Sequence, residues 1–449
     1  MFKRVTPEVR SGESPRSGKR WIIGTMVLAG GLVAAACGSS SPATSSAAKK
    51  PATHHKSGSA AAATTTTTAA ATATTTTTAA AGATPTTAAP AATGSAAPKA
   101  SSTTKTTVKA AAPAAPSTGL GSALGGSNDF NTPAATLTGA GSTFDQPLFA
   151  RQFFDYHNDN KGVSVNYASV GSGAGEADIL ASSVAFGASD VPEPGSTTGT
   201  GGALLQVPVV LGGIAMAYNE PCMGTNAHLT GTQIAQIYSG KITDWHAIDA
   251  NCPSGSNIEP VYRADSSGTS NAFTNYLHSV DGADWGSSLV GKQPAFPKGE
   301  GGNGNAGVAG DVQGGAGTIG YVELAYALQS GLNYAAVQNS SGSFVVPNAS
   351  SVAADAASFP GVTADNYLIV NGSGANAYPI STYSWVLVYQ KQSNQNNGIA
   401  LGKMLDWMAT AGQSDASAIG YVPLPSNIVA LAEATIKKMT NSAGQALFS

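Results

Sequence analysis

Residues 136–449 read as an α/β fold, because three times a β-prone run passes through a Gly/Ser/Thr turn into an amphipathic helix. In "TGAGSTFDQPLFARQFF" the glycines give way to Leu148, Phe149 and Phe153, which share one helix face. "VSVNYASV" alternates Val163, Val165 and Tyr167 as a strand does, breaks at "GSGAGEADIL", and continues into a helix expected to present Ile179, Leu180 and Val184. After "VYRADSSGTS" come Phe273, Tyr276, Leu277 and Val280, at the i, i+3, i+4, i+7 spacing of a helix.

The chain of 449 residues begins with segments of a different kind. Residues 1–20 carry Lys3, Arg4, Arg10, Arg16, Lys19 and Arg20, followed by an apolar run from Trp21 to Ala36 that ends at Cys37. The run is shorter than the ~20 residues a spanning helix needs, so residues 1–36 read as an export signal. Ala34, Ala35 and Ala36 before a single cysteine resemble a bacterial lipobox, which makes Cys37 the acylated residue and the mature N-terminus. The alternative is an uncleaved anchor with an ordinary cysteine. Residues 37–135 are rich in Ala, Thr, Ser and Pro and lack apolar periodicity, so no burial offsets the entropy of ordering them. They read as a disordered tether, with an end-to-end distance of about 55 Å and a composition suited to O-glycosylation.

Residues 136–449 contain ten basic and 22 acidic residues, a net charge of −12. That balance argues against nucleic acid or an anionic membrane surface as partner, since phosphate backbones are bound by clustered Lys and Arg. Cys222 and Cys252 enclose a modest loop, and export implies an oxidising compartment, so a disulfide between them is expected.

The three turns have a common chemistry. A helix N-terminus exposes unpaired N–H groups and the positive end of its dipole, glycine lets a ligand approach the backbone, and Ser and Thr add hydroxyl donors. For one turn alone, an ordinary N-cap explains the residues equally well. Three turns together with Arg263, one of only two arginines in this stretch, point to an anion. The guanidinium fork of Arg263 suits two oxyanion oxygens, and Asp265 could hold it in place.

In "VAFGASDVP" an apolar run ends at Ser189 and Asp190. An ionised carboxylate only accepts hydrogen bonds, so beside an anion it is costly unless the anion carries a proton. Near neutral pH inorganic phosphate keeps one and sulfate keeps none; Asp190 in the site would therefore reject sulfate. A strand-end Asp capping a turn is the plainer alternative.

Other patterns carry less. "GEGGNGNAGVAGD" lacks the Lys-Ser/Thr of a nucleotide P-loop and reads as a surface loop. His157, His228, His246 and His278 lack ligand spacing, so no metal is expected. Trp245, Trp385 and Trp407 read as core residues.

"LTGAGSTF", "GSGAGEADI", "FGASDVP", "QVPVVLGGIAMAYN", "IAQIYSGKITDW", "YRADSSGTS", "GAGTIGYVELAYA" and "MLDWMATAGQ" resemble, in the same order, the phosphate-binding protein (PstS) family of the phosphate-specific ABC transporter. The resemblance covers essentially all of 136–449 and none of the tether. It implies a two-lobed periplasmic binding protein fold of type II with the ligand in the cleft between lobes, lobe I being about 136–215 with 381–449 and lobe II about 216–380. It implies inorganic phosphate bound by Thr143, Phe144, Ser172, Asp190, Arg263, Ser267, Gly268 and Thr269, with Phe144 contributing its backbone N–H and Asp265 supporting the arginine. It further implies an extracytoplasmic, lipid-anchored receptor that delivers phosphate to ABC permease subunits, needs no cofactor and is expected to act as a monomer. Asp145 stands where the family usually has Pro, and Gly173 where a second Ser is common; the extra carboxylate bears on affinity. A secreted phosphoryl-handling enzyme with Ser267 as nucleophile is the alternative, and nothing near Ser267 in sequence offers it a general base. A phosphate-sensing surface protein on the same fold is another. The reading adopted is a receptor and not an enzyme.

Overall fold

A computed structural model describes residues 132–448. The segments expected to be an export signal and, up to residue 131, a tether, with Cys37 between them, lie outside the described residues. Among the described residues, no helix is long and apolar enough to cross a membrane.

The chain enters through β1 (Ala135–Gly141), turns, and continues as α1 (Gln146–Asp159), β2 (Val163–Ser169), α2 (Ser172–Leu180) and β3 (Phe186–Ser189). Pro147 lies in the first turn of α1, where a missing N–H breaks no helical hydrogen bond. Leu148, Phe149, Gln152, Phe153 and Tyr156 of α1 are buried, and Phe149 and Phe153 pack against Tyr167 of β2 and Phe186 of β3. β1 is parallel to both β2 and β3, so the ends of all three strands open in one direction. The helix expected over Ile179, Leu180 and Val184 stops at Leu180. Ser182 takes a left-handed φ of 59°, which a helix cannot continue through, and Val184 packs from outside the helix against the cluster of Ile179, Leu387 and Tyr389.

After the short β4 (Thr198–Gly199), the 18-residue strand β5 (Gly202–Asn219) runs through both halves of the molecule. The next elements are β6 (His228–Leu229), α3 (Gly231–Tyr238), β7 (Glu259–Arg263), α4 (Gly268–Val280), β8 (Glu300–Gly302), α5 (Gly304–Gly314), β9 (Thr318–Glu323) and α6 (Leu324–Gln329). Three small strands follow, β10 (Asn333–Tyr334), β11 (Ala336–Gln338) and β12 (Phe344–Val345), then α7 (Ala349–Ala356). The chain closes with β13 (Ser381–Tyr389), α8 (Gln395–Ala409) and α9 (Ser426–Ile436). The main sheet has the order β2-β1-β3-β13-β5-β9-β7-β8. β5 pairs antiparallel with β13 from Leu204 to Gly213 and with β9 from Ile214 to Asn219. The passage between halves therefore falls at Gly213/Ile214, where the Ile214 N–H donates to the Ile380 carbonyl at 2.8 Å, just before β13 begins. This is the two-lobed fold, with the chain crossing between lobes at β5 and again at the start of β13.

Each half has its own aromatic centre. In the second it is Phe273 of α4 stacked on Tyr321 of β9, with Tyr238 and Phe296 around them. Cys222 and Cys252 are disulfide-bonded in this half, with Cα atoms 5.0 Å apart. Trp245, Trp385 and Trp407 are buried.

The glycine-dense segment expected as a surface loop is instead β8 followed by α5. Val308 and Val312, four residues apart, face β9, and a Cβ on Gly320 would lie 2.7–2.8 Å from them. Glycine on the strand lets the helix seat its valines closely, so packing overrides the low helix propensity of the segment.

Candidate ligand-binding cleft

The turns after β1, β2 and β7 meet at the junction of the halves. Ser172, the first residue of α2, accepts at Oγ from the Gly268 N–H at 3.1 Å and from the Asp190 N–H at 3.5 Å. This commits the oxygen as acceptor and leaves the hydroxyl proton as its donor. The Gly173 N–H donates to the Ser266 carbonyl at 3.0 Å. A Cβ on Gly268 would lie 2.5 Å from the Asp190 Cβ, so glycine is required for the halves to come this close. Gly171, at φ +93°, similarly faces Asp265.

Arg263 ends β7 with 2% of its surface exposed, and its Nε and Nη2 donate to the two carboxylate oxygens of Asp265 at 2.7 and 2.5 Å. Burial pushes Asp265 up, but the hydrogen bonds and charge of Arg263, with the Gly304 N–H, hold it below the usual carboxylate range. The free edge of the guanidinium turns to Thr269, Nη1 to Oγ1 at 3.4 Å. Thr269 Oγ1 in turn donates to Asp190 Oδ2 at 3.1 Å, and Ser142 Oγ donates to Asp190 Oδ1 at 2.6 Å. Burial pushes Asp190 up, while Ser142, Ser384, Arg263 and Thr269 oppose that shift by favouring the ionised form.

Ser267 caps α4, its Oγ accepting from the Ser270 N–H at 3.1 Å. As an N-cap the Ser267 oxygen is committed as acceptor, and its hydroxyl proton remains a donor. Thr143 Oγ1 accepts from the backbone N–H and the Nδ2 of Asn305, at 3.1 and 2.9 Å. The Phe144 ring is buried edge-on to Tyr421, and its N–H bonds Ser142 Oγ at 3.1 Å. The turns that carry Thr143, Phe144, Ser172, Asp190, Arg263, Ser267, Gly268 and Thr269 are thus linked by hydrogen bonds across the two halves.

Several neighbours carry no local signal in the sequence. The carbonyls of Ser142, Thr143 and Phe144 each accept a tyrosine hydroxyl, from Tyr167 at 2.9 Å, Tyr326 at 2.7 Å and Tyr421 at 2.5 Å. Tying three successive carbonyls fixes the turn and directs its peptides, which is how a loop becomes a preorganised donor set. Asn305 comes from the segment expected to be a loop, and its Oδ1 accepts from the Glu323 N–H at 2.9 Å. Lys292 lies nearby, paired with Glu176 and, at 3.7 Å, with Glu193.

Residues 57–411 match the family model of the PBP superfamily domain. The chain is 38% identical over 316 residues to the phosphate-binding protein PstS of Xylella fastidiosa (strain Temecula1), covering 68% of this chain and 85% of that one. The chain belongs to the PstS family. PstS of Pasteurella multocida is 35% identical over 329 residues, covering 71% of this chain and 94% of its own length. Among solved structures, a high-affinity periplasmic phosphate-binding protein (PfluDING) has a TM-score of 0.55 at 22% identity, over 67% of this chain and 93% of that one. The phosphate-binding protein from Stenotrophomonas maltophilia has a TM-score of 0.53 at 22% identity, over 67% and 94%. At that identity the two structures speak for the fold, which this PstS family member shares across its described halves.

Proposed function

We propose that the chain captures inorganic phosphate in this cleft and delivers it to an ABC permease for import. The observation that carries the reading is Asp190, buried and accepting from Ser142 and Thr269, next to an arginine already paired with Asp265. A site with a carboxylate acceptor and a balanced cation favours an oxyanion that brings its own proton, as phosphate does and sulfate does not. Membership of the PstS family supports the same ligand.

Phosphate is held by Thr143, the Phe144 N–H, Ser172, Asp190, Arg263, Ser267, Gly268 and Thr269. The lobes, about 136–215 with 381–449 and about 216–380, close by bending where β5 crosses and where β13 begins. Residues 1–36 direct export, Cys37 carries the lipid, and 37–135 tether the receptor outside the membrane. The receptor acts as a monomer and is not an enzyme.

Equilibrium dialysis of the full chain against labelled phosphate tests the reading. Retained phosphate that excess sulfate fails to displace is the expected result. Failure to retain phosphate at all would overturn it.

A further inference from the structure

Asp145 follows Phe144 at the start of α1 and is completely buried. Its Oδ2 accepts from Ser384 Oγ at 2.9 Å, and its Oδ1 has no hydrogen-bond partner among the described residues. It makes no side-chain cap on the helix it precedes. An ionised carboxylate in that position would leave a buried charged oxygen without a protein donor, which is a costly arrangement.

Apart from the one hydrogen bond of Ser384, the groups that face Asp145 offer no relief. They are Ser384 from β13, Asp190 after β3, Glu323 at the end of β9, Tyr167 from β2, Tyr326 from α6 and Tyr421 ahead of α9. The three tyrosine hydroxyls are donated to the carbonyls of residues 142–144. Arg263 is bound to Asp265. Burial pushes the Asp145 carboxyl well above its usual range, and the charge of Asp190 adds to this, against the hydrogen bond from Ser384; Glu323 raises it further.

Ser384 stands between two acids: it bonds Asp145, and the antiparallel pairing of Trp385 with Ser189 sets Ser384 beside Asp190 on the neighbouring strand, where its hydroxyl favours the ionised form of Asp190. A hydroxyl has one proton to give. If Asp145 is un-ionised, its own O–H can donate to Ser384 Oγ, and the Ser384 proton is free for Asp190. If Asp145 ionises, it draws the Ser384 proton to itself, Asp190 loses a donor, and a second negative charge stands behind the ligand's acceptor.

We propose that Asp145 is a positioning residue of the ligand site: as an un-ionised carboxylic acid it turns the Ser384 hydroxyl onto Asp190, and this relay makes ligand affinity depend on pH. The inference rests on the reading of the cleft as a phosphate site. It assigns a purpose to a carboxyl placed directly behind the donor turn.

Phosphate affinity of the full chain, titrated from mildly acidic to alkaline pH, is the test, with Asp145→Asn and Ser384→Ala alongside. Groups shared by all three proteins, and the ionisation of phosphate itself, contribute equally to each profile. The wild type is expected to lose affinity with pH more steeply than Asp145→Asn, by up to about tenfold per pH unit for one linked proton. Ser384→Ala, weaker throughout, is expected to show a slope between those two, because the charge of Asp145 still reaches Asp190 while the hydroxyl no longer relays it; a purely structural defect would leave the slope at the wild-type value. Equal slopes in the wild type and Asp145→Asn would overturn the inference while leaving the phosphate reading intact. If Asp145→Asn does not fold, a Ser384→Ala slope equal to that of the wild type overturns it. A wild type that binds no phosphate at any pH would instead remove the reading on which the inference rests.

Discussion

Asp265 holds Arg263 through two parallel hydrogen bonds, Nε to Oδ1 at 2.7 Å and Nη2 to Oδ2 at 2.5 Å, so the cleft's arginine is oriented and charge-balanced before any ligand arrives. Such a fork is rigid, and it aims the remaining Nη1 edge towards Thr269 and Asp190. Arg263→Ala is expected to weaken phosphate by about 2 kcal/mol or more, because it leaves Asp265 and Asp190 without a cation beside the anion. Asp265→Asn should cost less, since the arginine keeps its charge and loses only its brace. Equal losses for the two variants, measured by calorimetric titration, would mean that orientation and not charge is what Arg263 supplies.

Gly268 is expected to tolerate no side chain. Its Cβ would meet the Asp190 Cβ at 2.5 Å and the Asp190 Cα at 2.9 Å, atoms of the opposite half that cannot swing aside. Gly268→Ala should hold the halves apart and reduce phosphate affinity by roughly tenfold to a hundredfold, the range expected of a forced backbone shift. Thermal stability without ligand should change little. Wild-type affinity in this variant would show that the close approach of α4 to Asp190 is not needed for binding.

The arrangement of strands, turns and helices was legible because it is local. Leu148, Phe149 and Phe153 on α1, and Phe273, Tyr276 and Leu277 on α4, repeat at helical spacing within a few residues of their glycine turns. Arg263 and Asp265 stand two apart at a strand end, so their pairing could also be anticipated. The tyrosines that tie residues 142–144 could not be, since Tyr326 and Tyr421 lie 183 and 277 positions from the carbonyls they bind. Only the folded sheet brings them there. Ser384, 239 positions from Asp145, is of the same kind. α5 was missed for another reason: its glycines count against a helix locally, and the valine stripe that secures it is only two residues long.

The Cys222–Cys252 bond closes a loop with a sequence separation of 30. Replacing both cysteines by serine is expected to lower unfolding free energy by roughly 3–4 kcal/mol, through the larger entropy of the open unfolded chain. Because the bond lies outside the cleft, phosphate affinity should stay at the wild-type value. Urea melts and titrations on the same preparation check both halves of this expectation, and a loss of affinity at full stability would contradict it.

Asp355 gives stability a pH dependence. It is fully buried, and burial raises it to about 7 despite the hydrogen bonds from Ser381 and from the Gly372 N–H. The folded state therefore keeps a proton that the unfolded state releases above about pH 4. Between about pH 4 and about pH 7 the folded state binds more protons, so this group makes stability fall as pH rises. Asp406, raised to about 7 by burial and by Glu433, acts in the same sense. Asp355→Asn should flatten the fall, read from urea melts at mildly acidic and mildly alkaline pH. An unchanged slope would contradict the assignment.

Asp190 carries the central claim, because a buried acceptor beside an anion is what distinguishes a protonated oxyanion from an unprotonated one. The most direct measurement is calorimetric titration of ligand-stripped wild type and Asp190→Asn, each with phosphate and then with sulfate. The account predicts phosphate binding and no sulfate heat in the wild type, and measurable sulfate binding once Asn can donate a hydrogen bond to it. Exclusion of sulfate by Asp190→Asn as complete as in the wild type would contradict it.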